Sequence, residues 1–91
     1  MTTDEVGEHL DSTDGWLIEG DALYKRFEFK NFAESLEFVN QVGAIAERAD
    51  HHPDITFGWG YAELRTMTHD RKGITDVDFA LVASIDELGK K

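Results

Sequence analysis

The stretch from Phe32 to Asp50 carries apolar residues on two helical stripes and runs towards Pro53, the single proline of the chain. One stripe is Phe32, Leu36, Val39, Gly43 and Ala46; the other is Phe38, Val42, Ile45 and Ala49. Recurrence at three- and four-residue spacing predicts a helix. Asn31 and Glu34 form an Asn-x-x-Glu capping pattern at its start. Pro53 disfavours helical geometry at His52, so the helix ends near Asp50 or His51. Two apolar stripes exceed what one sheet face needs. The spare stripe is therefore a candidate contact for a partner subunit, and Gly43, Ala44 and Ala46 allow close approach.

Strand signals flank this helix. Residues 16–19 and 22–30 read as two strands joined by Gly20-Asp21, with the Phe27 and Phe29 face inside. Residues 55–59 and 61–68 read as two more, with a tight bend at Gly58 and Gly60. In the last strand Ala62, Leu64, Thr66 and Thr68 share one face. A final helix starts with Thr75 as N-cap and Asp78 at its third position. Its expected buried stripe is Val77, Leu81, Ile85 and Leu88. The order strand, strand, helix, strand, strand, helix predicts an α+β fold. Its form is a two-layer sandwich, a four-stranded antiparallel sheet with helices packed on one face. Residues 1–15 are polar and acidic, with Val6 and Leu10 as a weak contact pair, and read as an N-terminal arm or short helix. Residues 16–91 read as a single domain.

Charge narrows the functional classes. Nineteen acidic and 9 basic residues give a formal net charge of -10. That argues against nucleic-acid backbones and anionic membrane surfaces, which need a basic face. With no cysteine, disulfides and thiolate metal sites are excluded. No apolar run reaches the length of a membrane span. Residues 1–5 show no leader pattern, so the cytoplasm is the expected location.

Three of the four histidines fall together by predicted position. His51 and His52 lie where the long helix ends, and His69 lies where the last strand ends. The partial negative charge of a helix C-terminus favours a protonated imidazole. Glu47, four residues before His51, is expected to face it one turn away. Asp78, in the first turn of the last helix, sits where the dipole favours a carboxylate. Such a set suits proton transfer near neutral pH. A zinc site is the rival use of three histidines, but adjacent His51 and His52 point apart on a regular backbone, so no metal is expected. The blander readings are a polar helix end for the histidine pair, a capping role for Asp78, a pocket wall or core position for Trp59, and solvent for His9.

The combined spacing is more specific. Glu47, three intervening residues, His51-His52-Pro53, Trp59 six residues after the proline, then His69 and Asp78 together form one pattern. Gly15-Trp16, Phe27-x-Phe29-x-x-Phe32, Thr68-His69-Asp70 and Gly73-Ile74-Thr75 flank it. From Gly15 to about Leu88 the chain resembles the pterin-4a-carbinolamine dehydratases. It departs from their pattern at Ile55, where a large aromatic is expected, at Gly58-Trp59-Gly60, and at Thr66, where an apolar strand residue is common.

The resemblance implies dehydration of 4a-hydroxytetrahydropterin to quinonoid dihydropterin, which restores the pterin used by an aromatic amino-acid hydroxylase. It implies His51 and His69 as acid and base, and His52 as the residue that orients the pterin. Glu47, Pro53, Trp59, Thr68 and Asp78 would bind substrate or support the histidines. The pterin is then the substrate, and no cofactor is implied. The resemblance also points to a homodimer or homotetramer. Two other roles occur among such chains: a non-catalytic protein-interaction module, and action on another pterin such as a molybdenum-cofactor intermediate.

Overall fold

A computed structural model describes residues 3–11, 13, 15–68 and 73–88. Helix α1 is Thr3–Asp11, strands β1 and β2 are Leu17–Glu19 and Ala22–Glu28, and helix α2 is Phe32–Ala49. Strands β3 and β4 are Asp54–Gly58 and Tyr61–Thr66, and helix α3 is Asp76–Leu88. The sheet order is β1-β2-β4-β3, with every neighbouring pair antiparallel. The expected α+β sandwich, four antiparallel strands with helices packed against them, is therefore the fold.

Registers Lys25↔Leu64 and Ile55↔Leu64 line up the inward-facing residues of the three longest strands. Ala62, Leu64 and Thr66 are all buried, as their alternation requires. Leu23, Val42, Leu64, Leu81 and Ile85 close the core from both layers. Each such side chain stabilises the fold by about 1.5–3 kcal/mol relative to exposure. Phe27 and Phe29 pack on Phe38 of α2, with ring centroids 4.6 and 5.1 Å apart. Trp16 turns inward and donates its indole N–H to Asp86 of α3 at 2.9 Å. Val6 of α1 joins the same core, and the exposed His9 ring stacks on Phe79.

Asn31 caps α2 as expected, accepting from the Glu34 N–H at 2.9 Å while the Glu34 carboxylate accepts from the Lys30 N–H. Of the two α2 stripes, Phe38, Val42 and Ile45 are buried, whereas Phe32 and Leu36 of the other are exposed. Helix α3 buries Leu81 and Ile85 of its expected stripe and packs Leu88 against the core, and departs from it at Val77. Val77 is exposed, and Asp78, Phe79, Leu81, Val82 and Ile85 form the inward face. The Asp78 carboxylate draws its side of the helix inward to meet hydroxyls of β4 and the following segment, which turns Val77 out.

The opposite face of the sheet is a polar mesh. The Tyr24 hydroxyl donates to Glu63 at 2.6 Å and Arg65 donates to Glu19 at 2.8 Å. Arg65 lies over the Tyr24 ring and Arg26 over that of Tyr61. The bond to Glu63 holds the Tyr24 hydroxyl above its ordinary titration range, and desolvation acts in the same direction. Among the described residues, no helix is long and apolar enough to cross a membrane.

Candidate active site

The end of α2 sets the geometry. Asp50 takes a left-handed conformation, φ 52° and ψ 40°. The His51 N–H then reaches back to the Ala46 carbonyl at 3.2 Å, and the Asp50 N–H to that of Glu47 at 3.3 Å. This pair of bonds is a Schellman closure, usually built on glycine. It turns the chain before Pro53 starts the approach to β3, and it sends the two histidines apart.

His51 points towards α3. Its Nε2 lies 2.5 Å from Asp78 Oδ1. His52 folds back along α2 and places its Nε2 2.5 Å from Glu47 Oε2. The expected facing of Glu47 and His51 is thus replaced by Glu47 with His52. The left-handed residue breaks the helical four-residue spacing on which that expectation rested. The two pairs also differ in setting. The Asp78 side chain is fully buried and that of His51 is 13% exposed, whereas Glu47 and His52 are 76% and 56% exposed.

Asp78 holds its place through four donors. Oδ1 accepts from the Thr66 hydroxyl at 2.6 Å as well as from His51. Oδ2 accepts from the Thr68 hydroxyl at 2.9 Å and from the Thr75 backbone N–H at 3.0 Å. A buried carboxylate is tolerable only when it is bonded in this way. Thr75 is the N-cap expected from the sequence, accepting from the Val77 N–H at 3.3 Å. Its bond to Asp78 is half of a capping box. Thr68 and Gly73 bond backbone to backbone at 2.8 and 3.3 Å.

Of the residues singled out from sequence, the structure brings together His51, Asp78 and Thr68, with His52 and Glu47 adjacent on the surface. Pro53 connects the corner to β3. His69 lies outside the described residues; its neighbour Thr68 is one residue away and bonds to Asp78. Trp59 lies apart: it occupies the β3–β4 turn and is 72% exposed. It is neither a core residue nor a wall beside His51 within one chain, because the length of β3, about 16 Å at strand rise, separates them. Thr66 is a participant that the sequence marks only as a departure, a hydroxyl where an apolar strand residue is common. A hydroxyl at an inward strand position, two residues before Thr68, was the available signal.

Chemically, a histidine held by a buried carboxylate can give or take a proton from a fixed direction. A second imidazole–carboxylate pair beside it can bind a polar ligand edge. Among the described residues, no group of three His, Cys, Asp or Glu is arranged to hold a metal ion. A cavity of about 540 Å³ lies elsewhere, between α2, β2 and the end of α3. It is lined by Phe27, Phe29 and Phe38 with Lys25 and acidic groups, and contains no histidine.

Comparison with known proteins decides the family. The model of the family described as pterin 4 alpha carbinolamine dehydratase matches residues 1–88. The chain belongs to the pterin-4-alpha-carbinolamine dehydratase family. A relative from Halorhodospira halophila, named as a candidate dehydratase of this kind, is 44% identical over 91 residues, covering 98% of this chain and 84% of the relative. A similarly named chain from Natronomonas pharaonis is 39% identical over 90 residues, covering 99% and 96%.

Solved structures of dehydratase-like chains agree on the fold. A transcriptional coactivator/pterin dehydratase from Brucella melitensis superposes with a TM-score of 0.90 at 29% identity, covering 96% of this chain and 95% of that one. A pterin dehydratase-like protein identified as a RuBisCO assembly factor in the alpha-carboxysome gives 0.66 at 26% identity, covering 88% and 92%. Dehydratase-family folds therefore carry names for more than one role.

Proposed function

We propose that this chain dehydrates a 4a-hydroxytetrahydropterin to the quinonoid dihydropterin. The observation that carries the reading is the His51–Asp78 pair, a mostly buried histidine anchored at 2.5 Å beside the family's His-His-Pro corner. The 4a-hydroxyl leaves as water once an acid protonates it. The N5 electron pair forms the new C=N bond, and a base removes the N5 proton. An acid and a base on a flat ring suffice, so the pterin is the substrate and the reaction calls for no cofactor.

His51 and His69 are the proposed acid and base. His52, paired with Glu47, orients the pterin edge. Thr68 and Asp78 support His51, Pro53 fixes the corner, and Trp59 contacts substrate only where another chain brings it near. The location proposed is the cytoplasm, in the service of an aromatic amino-acid hydroxylase. The exposed Phe32 and Leu36 favour a homodimer or homotetramer through α2.

The test is stopped-flow absorbance of chemically generated 4a-hydroxytetrahydropterin with wild type, His52→Ala and His69→Ala. Acceleration by wild type, a raised KM in His52→Ala and a lowered kcat in His69→Ala are expected. Folded wild type that gives no acceleration would remove the reading. The second reading is an interaction module, favoured by the same exposed α2 stripe and by the assembly-factor name of one structural relative. A stoichiometric protein partner without pterin turnover would move the assignment there.

A further inference from the structure

Thr66 closes β4 and points inward in line with Ala62 and Leu64, at 1% exposure. Packing alone would be served by valine, which has the same branched shape and suits a strand. The hydroxyl is instead committed to Asp78 Oδ1 at 2.6 Å. An ionised carboxylate only accepts, so Thr66 is the donor. His51 Nε2 reaches the same oxygen, while the Thr68 hydroxyl and the Thr75 N–H occupy the other. Two acceptor sites on each oxygen are thereby filled. With the carboxylate as acceptor, the neutral His51 ring carries its proton on Nε2, and Nδ1 is its basic nitrogen.

We propose that Thr66 is a positioning residue for the dehydration: its hydroxyl fixes Asp78 Oδ1, and Asp78 holds His51 as the Nε2–H tautomer with Nδ1 presented to the pterin. This rests on the dehydratase reading for its kinetic consequence and on the hydrogen bonds alone for its tautomer. Without the hydroxyl, Oδ1 keeps a single donor in a buried site. The carboxylate can then rotate, and the ring loses its fixed direction. A misdirected proton-transfer group lowers the rate of the chemical step more than it weakens binding.

The experiment joins long-range ¹H–¹⁵N spectra of the full chain, with the histidines assigned, to kcat and KM for wild type, Thr66→Val and Thr66→Ser. Wild type and Thr66→Ser are expected to show His51 as the Nε2–H tautomer and to turn over alike. Thr66→Val is expected to show mixed tautomers and to lose about 10- to 100-fold in kcat with KM little changed. An Nδ1–H tautomer in wild type would overturn the proposal. So would a Thr66→Val protein with wild-type kcat, or a Thr66→Ser protein as slow as Thr66→Val, which would make the role one of packing. Where Thr66→Val does not fold, the wild-type tautomer and the Thr66→Ser rate still decide. A wild type that turns over no pterin, yet shows the Nε2–H tautomer and loses it in Thr66→Val, supports the Thr66 link and sinks the substrate reading alone.

Discussion

His51 and Asp78 stand 27 residues apart in the chain and meet at 2.5 Å, joining the end of one helix to the start of another. The contact ties the α2 corner to α3, and under the proposed chemistry Asp78 is both a structural group and the support of His51. Asp78→Asn keeps the shape and replaces an acceptor oxygen by a donor, so two of the four donors meet an NH2 group in place of an acceptor. A stability loss of about 1–3 kcal/mol is expected by urea denaturation. A fall in kcat of at least about tenfold is expected to accompany it. Unchanged values of both would contradict the arrangement.

The corner itself is strained. Asp50 is the one non-glycine residue with positive φ among those described. Asp50→Gly removes that cost and is expected to be neutral or to stabilise by up to about 1 kcal/mol, while Asp50→Val should destabilise by about 1–2 kcal/mol. Denaturant midpoints measure both, and an equal effect of the two substitutions would deny the left-handed turn.

Leu64 is fully buried at the centre of the sheet, opposite both Lys25 and Ile55. Leu64→Ala is expected to cost about 2–5 kcal/mol, read from chemical denaturation. A cost below 1 kcal/mol, roughly that of a surface change, would place Leu64 outside the core.

On the outer sheet face, the bond to Glu63 raises the Tyr24 titration above its ordinary value of 10.0. Glu63→Gln should lower it, as read by ultraviolet absorbance. The sign for stability follows. A folded value above the unfolded one contributes stability fully present below the unfolded value, near pH 10, and lost as pH rises through the folded value. A Tyr24 that titrates identically in both proteins would contradict the bond.

The exposed pair Phe32 and Leu36 gives a prediction about assembly. Sedimentation is expected to find wild type heavier than the 10.3 kDa chain, and Phe32→Glu with Leu36→Glu to return it to that mass. A wild-type monomer at micromolar concentration would remove the proposed oligomer.

Much of the fold was legible because its signals are local. The alternation of Ala62, Leu64 and Thr66, the Asn31–Glu34 cap and the stop before Pro53 each act within a few residues. The Leu81, Ile85 and Leu88 stripe of α3 was legible too, but its first turn was not, because Val77 and Asp78 compete for the inside and an apolar count favours the wrong one. What decides it is a set of hydroxyls on Thr66 and Thr68, brought in by β4 from ten and more residues away. The partner of His51 was hidden for a related reason. Helical spacing pointed to Glu47, and one left-handed residue, Asp50, redirected that carboxylate to His52. Thr66 stands out in sequence only as a hydroxyl where an apolar strand residue is common, and only the packing of α3 gives that hydroxyl an acceptor.

The most direct test of the proposed chemistry is the dehydration rate of 4a-hydroxytetrahydropterin with wild type and with His51→Ala, each shown to be folded by circular dichroism. Acceleration by wild type and a loss of about 100-fold or more in kcat for His51→Ala are predicted. A folded His51→Ala protein as fast as wild type would contradict the role given to His51 and the buried carboxylate behind it.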